Sequence, residues 1–225
     1  MLGDTESKTS AQLPIVILIS GRGSNMLAIA ERAARGELPI DVRAVISDKP
    51  DAAGLVSAQQ LDIPVVSLSP RSFANRESYD IALSELVASF RPQLVVLAGF
   101  MRILTANFID RFAGRILNIH PSLLPKYRGL HTHRRAIAAG DSVHGASVHY
   151  VTQELDGGPV IMQASVPVQA DDTEESLSAR VQRLEHRIYP QVIEWIAHGR
   201  IGLRSDGLWF DGKPLPAPVM LESGD

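Results

Sequence analysis

Cysteine is absent from this sequence of 225 residues. Its absence excludes disulfide bonds, a thiolate nucleophile and every zinc or iron–sulfur site that depends on cysteine ligands. A chain without cysteine is compatible with a reducing compartment, and we expect a cytoplasmic location.

An excess of positive charge is missing as well. Lys and Arg total 22, Asp and Glu total 25, and the net charge is −3. Because no long basic run is available to neutralise phosphates along a strand, we expect no nucleic-acid partner.

Long hydrophobic runs are also missing, since none approaches the roughly 18 residues of a membrane span. The first 12 residues are polar and lack the apolar stretch of a signal peptide. We therefore expect no membrane partner, a disordered tail over residues 1–12 and a single domain over residues 13–225.

The residues that are present predict an α/β fold. Leu13 to Ser20 is a continuous β-branched run, which is typical of a central parallel strand covered on both faces. Strand patterns then follow at 42–46, 65–68 and 94–98, and helix patterns begin at Met26 and cover 52–61, 76–90 and 105–112. This alternation predicts a Rossmann-like, mostly parallel twisted sheet with helices on both faces.

The second half predicts an antiparallel C-terminal extension. Strand patterns at 144–151 and 160–168 are separated by the break Asp156-Gly157-Gly158-Pro159 and predict an antiparallel pair at the end of the sheet. A long helix opens at residues 173–176. Residues 201–210 then predict a closing hairpin at about 200–212.

The turn after the first strand is a candidate phosphate site. Gly23, Ser24 and Asn25 would place backbone N–H groups, a hydroxyl and an amide at the positive end of a helix. A dinucleotide fingerprint requires a third glycine where this chain has Met26. The turn therefore predicts a single phosphate, although a tight turn without a ligand would use the same residues.

A second candidate site follows a short strand at 115–119. Strand alternation places Asn118 and His120 on one face, and Pro121 ends the strand beside them. An Asn amide can donate to a developing oxyanion, a His can move a proton, and the carboxylate of Asp156 can orient that His. With no Ser or Cys placed beside a base, the attacking group should belong to the substrate. A turn-capping Asn and a core His are the structural alternative.

A metal site is not expected. His131 and His133 alternate, but they open a predicted helix, and no carboxylate or third ligand lies near them in sequence.

Four motifs carry a resemblance to a known family. They are Ile19 to Asn25, Leu97 to Leu104, Asn118 to Pro125, and Leu155 to Pro159. Together they resemble the phosphoribosylglycinamide formyltransferase family, over roughly Ile15 to Phe210. Those enzymes transfer a formyl group from 10-formyltetrahydrofolate to the amine of glycinamide ribonucleotide in de novo purine synthesis.

The resemblance implies a role for each matching residue. It makes Asn118 the oxyanion partner, His120 the proton donor, and Asp156 the carboxylate that makes His120 more basic. The ribonucleotide would be bound by Gly23, Ser24, Asn25, Gln182, Arg183, Leu184 and Glu185. The formyl folate would be bound by Arg76, Met101, Arg102, Ile103, Leu104, Asn118, Thr152, Gln153, Glu154, Leu155 and Asp156. No metal is implied, and a weak homodimer is left open.

One departure and two alternatives accompany the resemblance. Arg128 stands where many members of the family carry Pro. A formyltetrahydrofolate hydrolase would use water as acceptor, but it would also carry an N-terminal regulatory domain, for which we expect no room in 12 polar residues. A catalytically silent nucleotide-binding module would not need Asn118, His120 and Asp156 together.

Overall fold

The structure is a computed structural model that describes residues 12–221, so the tail expected over residues 1–12 lies outside the described residues except for Gln12. Within this range no helix combines the length and the apolar character needed to cross a membrane.

Strands and helices alternate along the described chain. The strands are β1 (Leu13–Ile19), β2 (Ile40–Ser47), β3 (Val65–Ser67), β4 (Leu94–Leu97), β5 (Ile116–His120), β6 (Val143–Tyr150), β7 (Val160–Pro167), β8 (Ile201–Arg204), β9 (Gly207–Phe210), β10 (Lys213–Pro214) and β11 (Val219–Leu221). The α-helices are α1 (Ser24–Ala34), α2 (Ala53–Gln59), α3 (Arg76–Ser89), α4 (Ala106–Arg111), α5 (Thr132–Ala138) and α6 (Glu174–Ala197), and Pro70–Ser72 forms a 3₁₀ turn.

The main sheet is mostly parallel, with the strand order β11-β7-β6-β5-β4-β1-β2-β3. Five neighbouring strands, β5, β4, β1, β2 and β3, pair in parallel. Strand β6 is antiparallel to both β5 and β7. Strands β8, β9 and β10 form a separate antiparallel sheet. The predicted α/β fold and its antiparallel C-terminal extension are therefore confirmed.

The central strand β1 is covered on both faces. Ile15, Ile17 and Ile19 belong to the larger core cluster with residues of α1 and α6, whereas Val16 and Leu18 belong to a second cluster with residues of α3 and α4. These five side chains are fully buried. The continuous apolar run thus reflects two covered faces.

The edge of the sheet beyond β7 differs from the prediction. β11 pairs in parallel with β7 through Val219, Met220 and Leu221, and neither this strand nor β10 was predicted. Two or three residues carry too little periodicity to indicate a strand, and their pairing depends on distant parts of the chain.

Polar side chains occupy one face of β5, β6 and β7. Asn118 pairs with His149 and His120 with Ser147 in the antiparallel register, while their neighbours Ile119 and Val148 lie in the larger core cluster on the opposite face. Ser147 in turn pairs with Gln163 of β7. We call these five residues the polar stripe: Asn118, His120, Ser147, His149 and Gln163.

Candidate active site

The carboxylate of Asp156 lies between two imidazoles of the polar stripe. Its Oδ2 is 3.4 Å from Nδ1 of His120, and its Oδ1 is 3.7 Å from Nε2 of His149. The backbone N–H of Gly129 donates to Oδ2 at 2.8 Å. The Asp156 side chain is only 8% exposed, so the hydrogen bond from Gly129 replaces part of the solvation that the carboxylate loses.

An unusual backbone turn delivers Asp156 to this position. Asp156 has φ of 47°, in the left-handed region that Asp tolerates better than most residues. Two residues later, a Cβ on Gly158 would stand 1.8 Å from the carbonyl oxygen of Tyr150. The turn therefore requires glycine at position 158 to bring the carboxylate back over β5 and β6.

His120 has an acceptor at each ring nitrogen. Besides the contact with Asp156, its Nε2 is 2.9 Å from the carbonyl oxygen of Tyr127, a residue that also has a left-handed φ of 56°. An N–H at either ring nitrogen would have one of these acceptors as its partner, so the contacts orient the imidazole and hold it in place.

The loop after His120 is fixed by buried hydrogen bonds from the polar stripe. The Ser147 hydroxyl donates to the carbonyl of Ser122 at 2.6 Å, and the Gln163 amide donates to the carbonyl of Leu124 at 2.9 Å. The Ser122 hydroxyl is itself buried and donates to the carbonyl of Lys126. Ser122 is therefore occupied as a structural donor, and its hydroxyl points at a backbone carbonyl and not at a basic side chain.

The start of α1 has unoccupied backbone donors. Gly23 precedes the helix with φ of 70°, and no side chain caps this end, unlike α3 and α6, where Asn75 and Thr173 form capping boxes. The first N–H groups of α1 have no intrahelical partner. This end of α1 is therefore suited to an anion.

One face of α6 meets the start of α1. The Gln182 amide donates to the Ser24 hydroxyl at 3.0 Å, and the Asn25 amide donates to Glu185 at 2.7 Å. Burial raises the pKa of Glu185, although the Asn25 hydrogen bond opposes this effect. Arg183 is exposed, and Leu184 packs against the larger core cluster, so their side chains lie off this face.

The same helix reaches β4 and β5 one turn later. The Tyr189 hydroxyl is 3.0 Å from the carbonyl oxygen of Leu97 at the end of β4 and 3.1 Å from that of Leu117 in β5. Leu117 precedes Asn118, so α6 connects the N-terminal end of α1 to β5, the strand that carries Asn118 and His120.

Comparison with known proteins identifies the family. The formyl transferase family matches residues 13–193. This chain belongs to that family. Among its relatives, the phosphoribosylglycinamide formyltransferase of Escherichia coli (strain K12) is 54% identical over 202 residues, which are 90% of this chain and 95% of that protein. The trifunctional purine biosynthetic protein adenosine-3 of Homo sapiens is 38% identical over 193 residues, 86% of this chain and 19% of that protein.

Solved structures agree with this assignment. The phosphoribosylglycinamide formyltransferase of Coxiella burnetii has a TM-score of 0.89 and 48% identity, and the match covers 94% of this chain and 100% of that one. Glycinamide ribonucleotide transformylase 1 of Symbiobacterium toebii has a TM-score of 0.86 and 40% identity, and covers 89% of this chain and 94% of that one. The predicted family and the prediction of a formyltransferase enzyme are confirmed.

The formyl transferase displays apolar side chains at the residues predicted to bind folate. Met101 is 67% exposed, Ile103 58% and Leu155 49%. Arg76 donates to the carbonyl of Leu104 at 3.0 Å, and Arg102 lies over the ring of Tyr79 at 4.7 Å with its buried Nε unpartnered. These groups would suit a ligand with a flat apolar part and an acidic part.

The remaining predicted folate residues lie on the loop before Asp156. The Gln153 amide donates to Asp110 at 2.9 Å, and the Thr152 hydroxyl contacts the carbonyl of Glu154 at 3.4 Å. Glu154 pairs with Arg128. The arginine that departs from the family pattern thus connects the loop after β5 to the loop after β6.

His149 is the site residue that sequence reasoning missed in this formyl transferase. It lies inside a predicted strand, and only the pairing of β6 with β5 places it beside Asn118. The sequence does show that Ser147 and His149 lie on the same face of the predicted strand, because they are two residues apart. Residue spacing cannot show how β6 is aligned against β5, and so it cannot place His149 beside Asn118. Among residues 12–221, no three His, Asp or Glu side chains are grouped as metal ligands.

Proposed function

We propose that this formyl transferase moves the formyl group of 10-formyltetrahydrofolate to the amine of glycinamide ribonucleotide, a step of de novo purine biosynthesis. The proposal is supported by a chain of contacts: Asp156 lies 3.4 Å from His120 and 3.7 Å from His149, and His149 lies 3.2 Å from the Asn118 amide. This cluster offers an amide donor and an imidazole, while the nearby Ser122 hydroxyl is occupied. The attacking nitrogen should therefore come from the substrate.

In the proposed reaction the amine nitrogen attacks the formyl carbon, and the carbonyl electrons move to oxygen. An N–H of the Asn118 amide donates to that oxyanion. The bond from carbon to the folate nitrogen then breaks, and His120 gives its proton to that nitrogen. The surplus proton of the former amine returns to His120, so atoms and charges balance over the cycle.

To donate its proton to the folate nitrogen, His120 must give up one of its two present contacts. Its Nε2 faces the carbonyl of Tyr127 and its Nδ1 faces Asp156. If Asp156 keeps the ring oriented, the Nε2 proton is the one delivered, and the contact with Tyr127 opens when the folate nitrogen takes its place. Asp156 thus stabilises the charged ring without accepting its proton.

The ribonucleotide would lie between α1 and α6. We assign its phosphate to the backbone N–H groups beside Gly23, Ser24 and Asn25. The Oδ1 atom of Asn25 is buried without a partner and would suit a ribose hydroxyl, as would Glu185. Gln182 positions Ser24 through its hydrogen bond. The side chains of Arg183 and Leu184 lie off this face, so these two residues would help to form the ribonucleotide site only as part of α6.

A spectroscopic assay of formyl-folate consumption, with and without glycinamide ribonucleotide, tests the proposal. We expect consumption that depends on the ribonucleotide and yields its formylated product. Consumption without the amine would select the hydrolase alternative, and no consumption would select a silent nucleotide-binding module.

Gly23→Val is expected to raise the ribonucleotide KM at least tenfold, since a Cβ at Gly23 would lie 3.1 Å from both Gly54 and Met26 and would displace the loop. The matched control is Gly36→Val, because Gly36 has a similar φ of 72° but open space around it. Initial rates over ribonucleotide concentration measure both. Equal KM values in the two variants would remove the phosphate assignment.

Three features stay predictions: the cytoplasmic location, the single domain over residues 13–225, and partners restricted to the two small-molecule substrates apart from a weak homodimer.

A further inference from the structure

His149 is held in one defined protonation form. Its Nδ1 is 2.9 Å from the carbonyl oxygen of Tyr150, which can only accept, so Nδ1 carries a proton. The side chain is 2% exposed, and burial lowers the pKa of His149. A neutral ring has one proton, so Nε2 is left as a bare acceptor.

This form of His149 determines which way the Asn118 amide points. Nε2 of His149 is 3.2 Å from the terminal amide of Asn118. A bare nitrogen requires a donor, so Asn118 must present Nδ2 to His149 and not Oδ1. One N–H of Nδ2 is used here, and the second is available to a ligand.

We propose that His149 is a positioning residue that fixes the Asn118 amide with its free N–H directed at the reacting carbonyl oxygen. The inference rests on the proposed function, in which Asn118 is the oxyanion donor. Without His149 the amide could turn by a half rotation and present Oδ1, which would repel the developing negative charge.

Loss of His149 should lower kcat and leave substrate binding unchanged. We expect His149→Phe to reduce kcat about tenfold to a hundredfold, part of the roughly 10²–10³ that a whole oxyanion donor supplies, and to leave the ribonucleotide KM within about twofold. His149→Gln, whose amide oxygen can accept at the position of Nε2, should restore most of that loss.

A double-mutant cycle separates positioning from general packing. In an Asn118→Ala background, His149→Phe should change kcat by less than about twofold, because the amide that it orients is gone. The same fold loss in both backgrounds would overturn the inference. If Asn118→Ala alone left kcat normal, the proposed function would fail instead.

His144→Phe is the matched control. His144 lies on the same strand, is 1% exposed, and burial, followed by the charge of neighbouring His133, lowers its pKa to about 4. It contacts His133 and not Asn118, so its kcat should stay within about twofold of the parent.

A spectroscopic measurement on the parent protein tests the same claim independently of His149→Phe. Long-range ¹H–¹⁵N correlation spectra of the intact protein at neutral pH, assigned by comparison with His149→Gln, should show His149 as the Nδ1–H form. An Nε2–H form or a doubly protonated ring would overturn the inference. This readout stands even if His149→Phe fails to fold.

Discussion

Replacing His120 with alanine is expected to reduce kcat about 10²–10⁴-fold, the range that a positioned general acid contributes. The ribonucleotide should still bind, because its proposed contacts lie on α1 and α6 rather than on the end of β5. Single-turnover formyl transfer measures the rate, and calorimetric titration with glycinamide ribonucleotide measures the affinity.

His198→Ala supplies the control for this experiment, since His198 is an exposed histidine at the end of α6 and its loss should leave kcat unchanged. His120→Gln should be nearly as slow as His120→Ala, because an amide cannot give up a proton. Near-normal transfer by a folded His120 variant would remove the proton-donor assignment.

Asn118→Ala is expected to reduce kcat about 10²–10³-fold, since it removes the proposed donor to the oxyanion. Asn118→Asp should be at least as slow, because a carboxylate offers an acceptor where a donor is required. Steady-state kinetics with both substrates saturating gives the values.

The exposed Asn107 of α4 is the matched control, and Asn107→Ala should keep the parental kcat. A loss confined to the folate KM would show that Asn118 binds the co-substrate but does not stabilise the transition state.

Much of the fold could be predicted from residue patterns. The run from Leu13 to Ser20 predicted a strand buried on both faces, and β1 is fully buried from Ile15 to Ile19. Alternation also predicted the antiparallel pair β6 and β7. These elements were predictable because burial imposes a period on many consecutive residues.

The site was predictable only in part. Asn118 and His120 share a strand, so alternation alone placed them on one face. Asp156 arrives through a left-handed backbone and a glycine pressed against Tyr150, which spacing cannot show. His149 required the register of β6 against β5, and β11 required the pairing of a three-residue segment with a distant strand.

The polar stripe also has a consequence for how the chain folds. Because side chains alternate across a strand, a slip of β6 by one residue would drive His149 and Ser147 into the apolar layer beneath α6 and expose Val148. Such a misaligned sheet would bury unsatisfied polar groups and be strongly disfavoured. Ser147 and His149, which support the proposed catalytic residues, therefore also make mispaired folding intermediates costly, so the same side chains help to set the strand register.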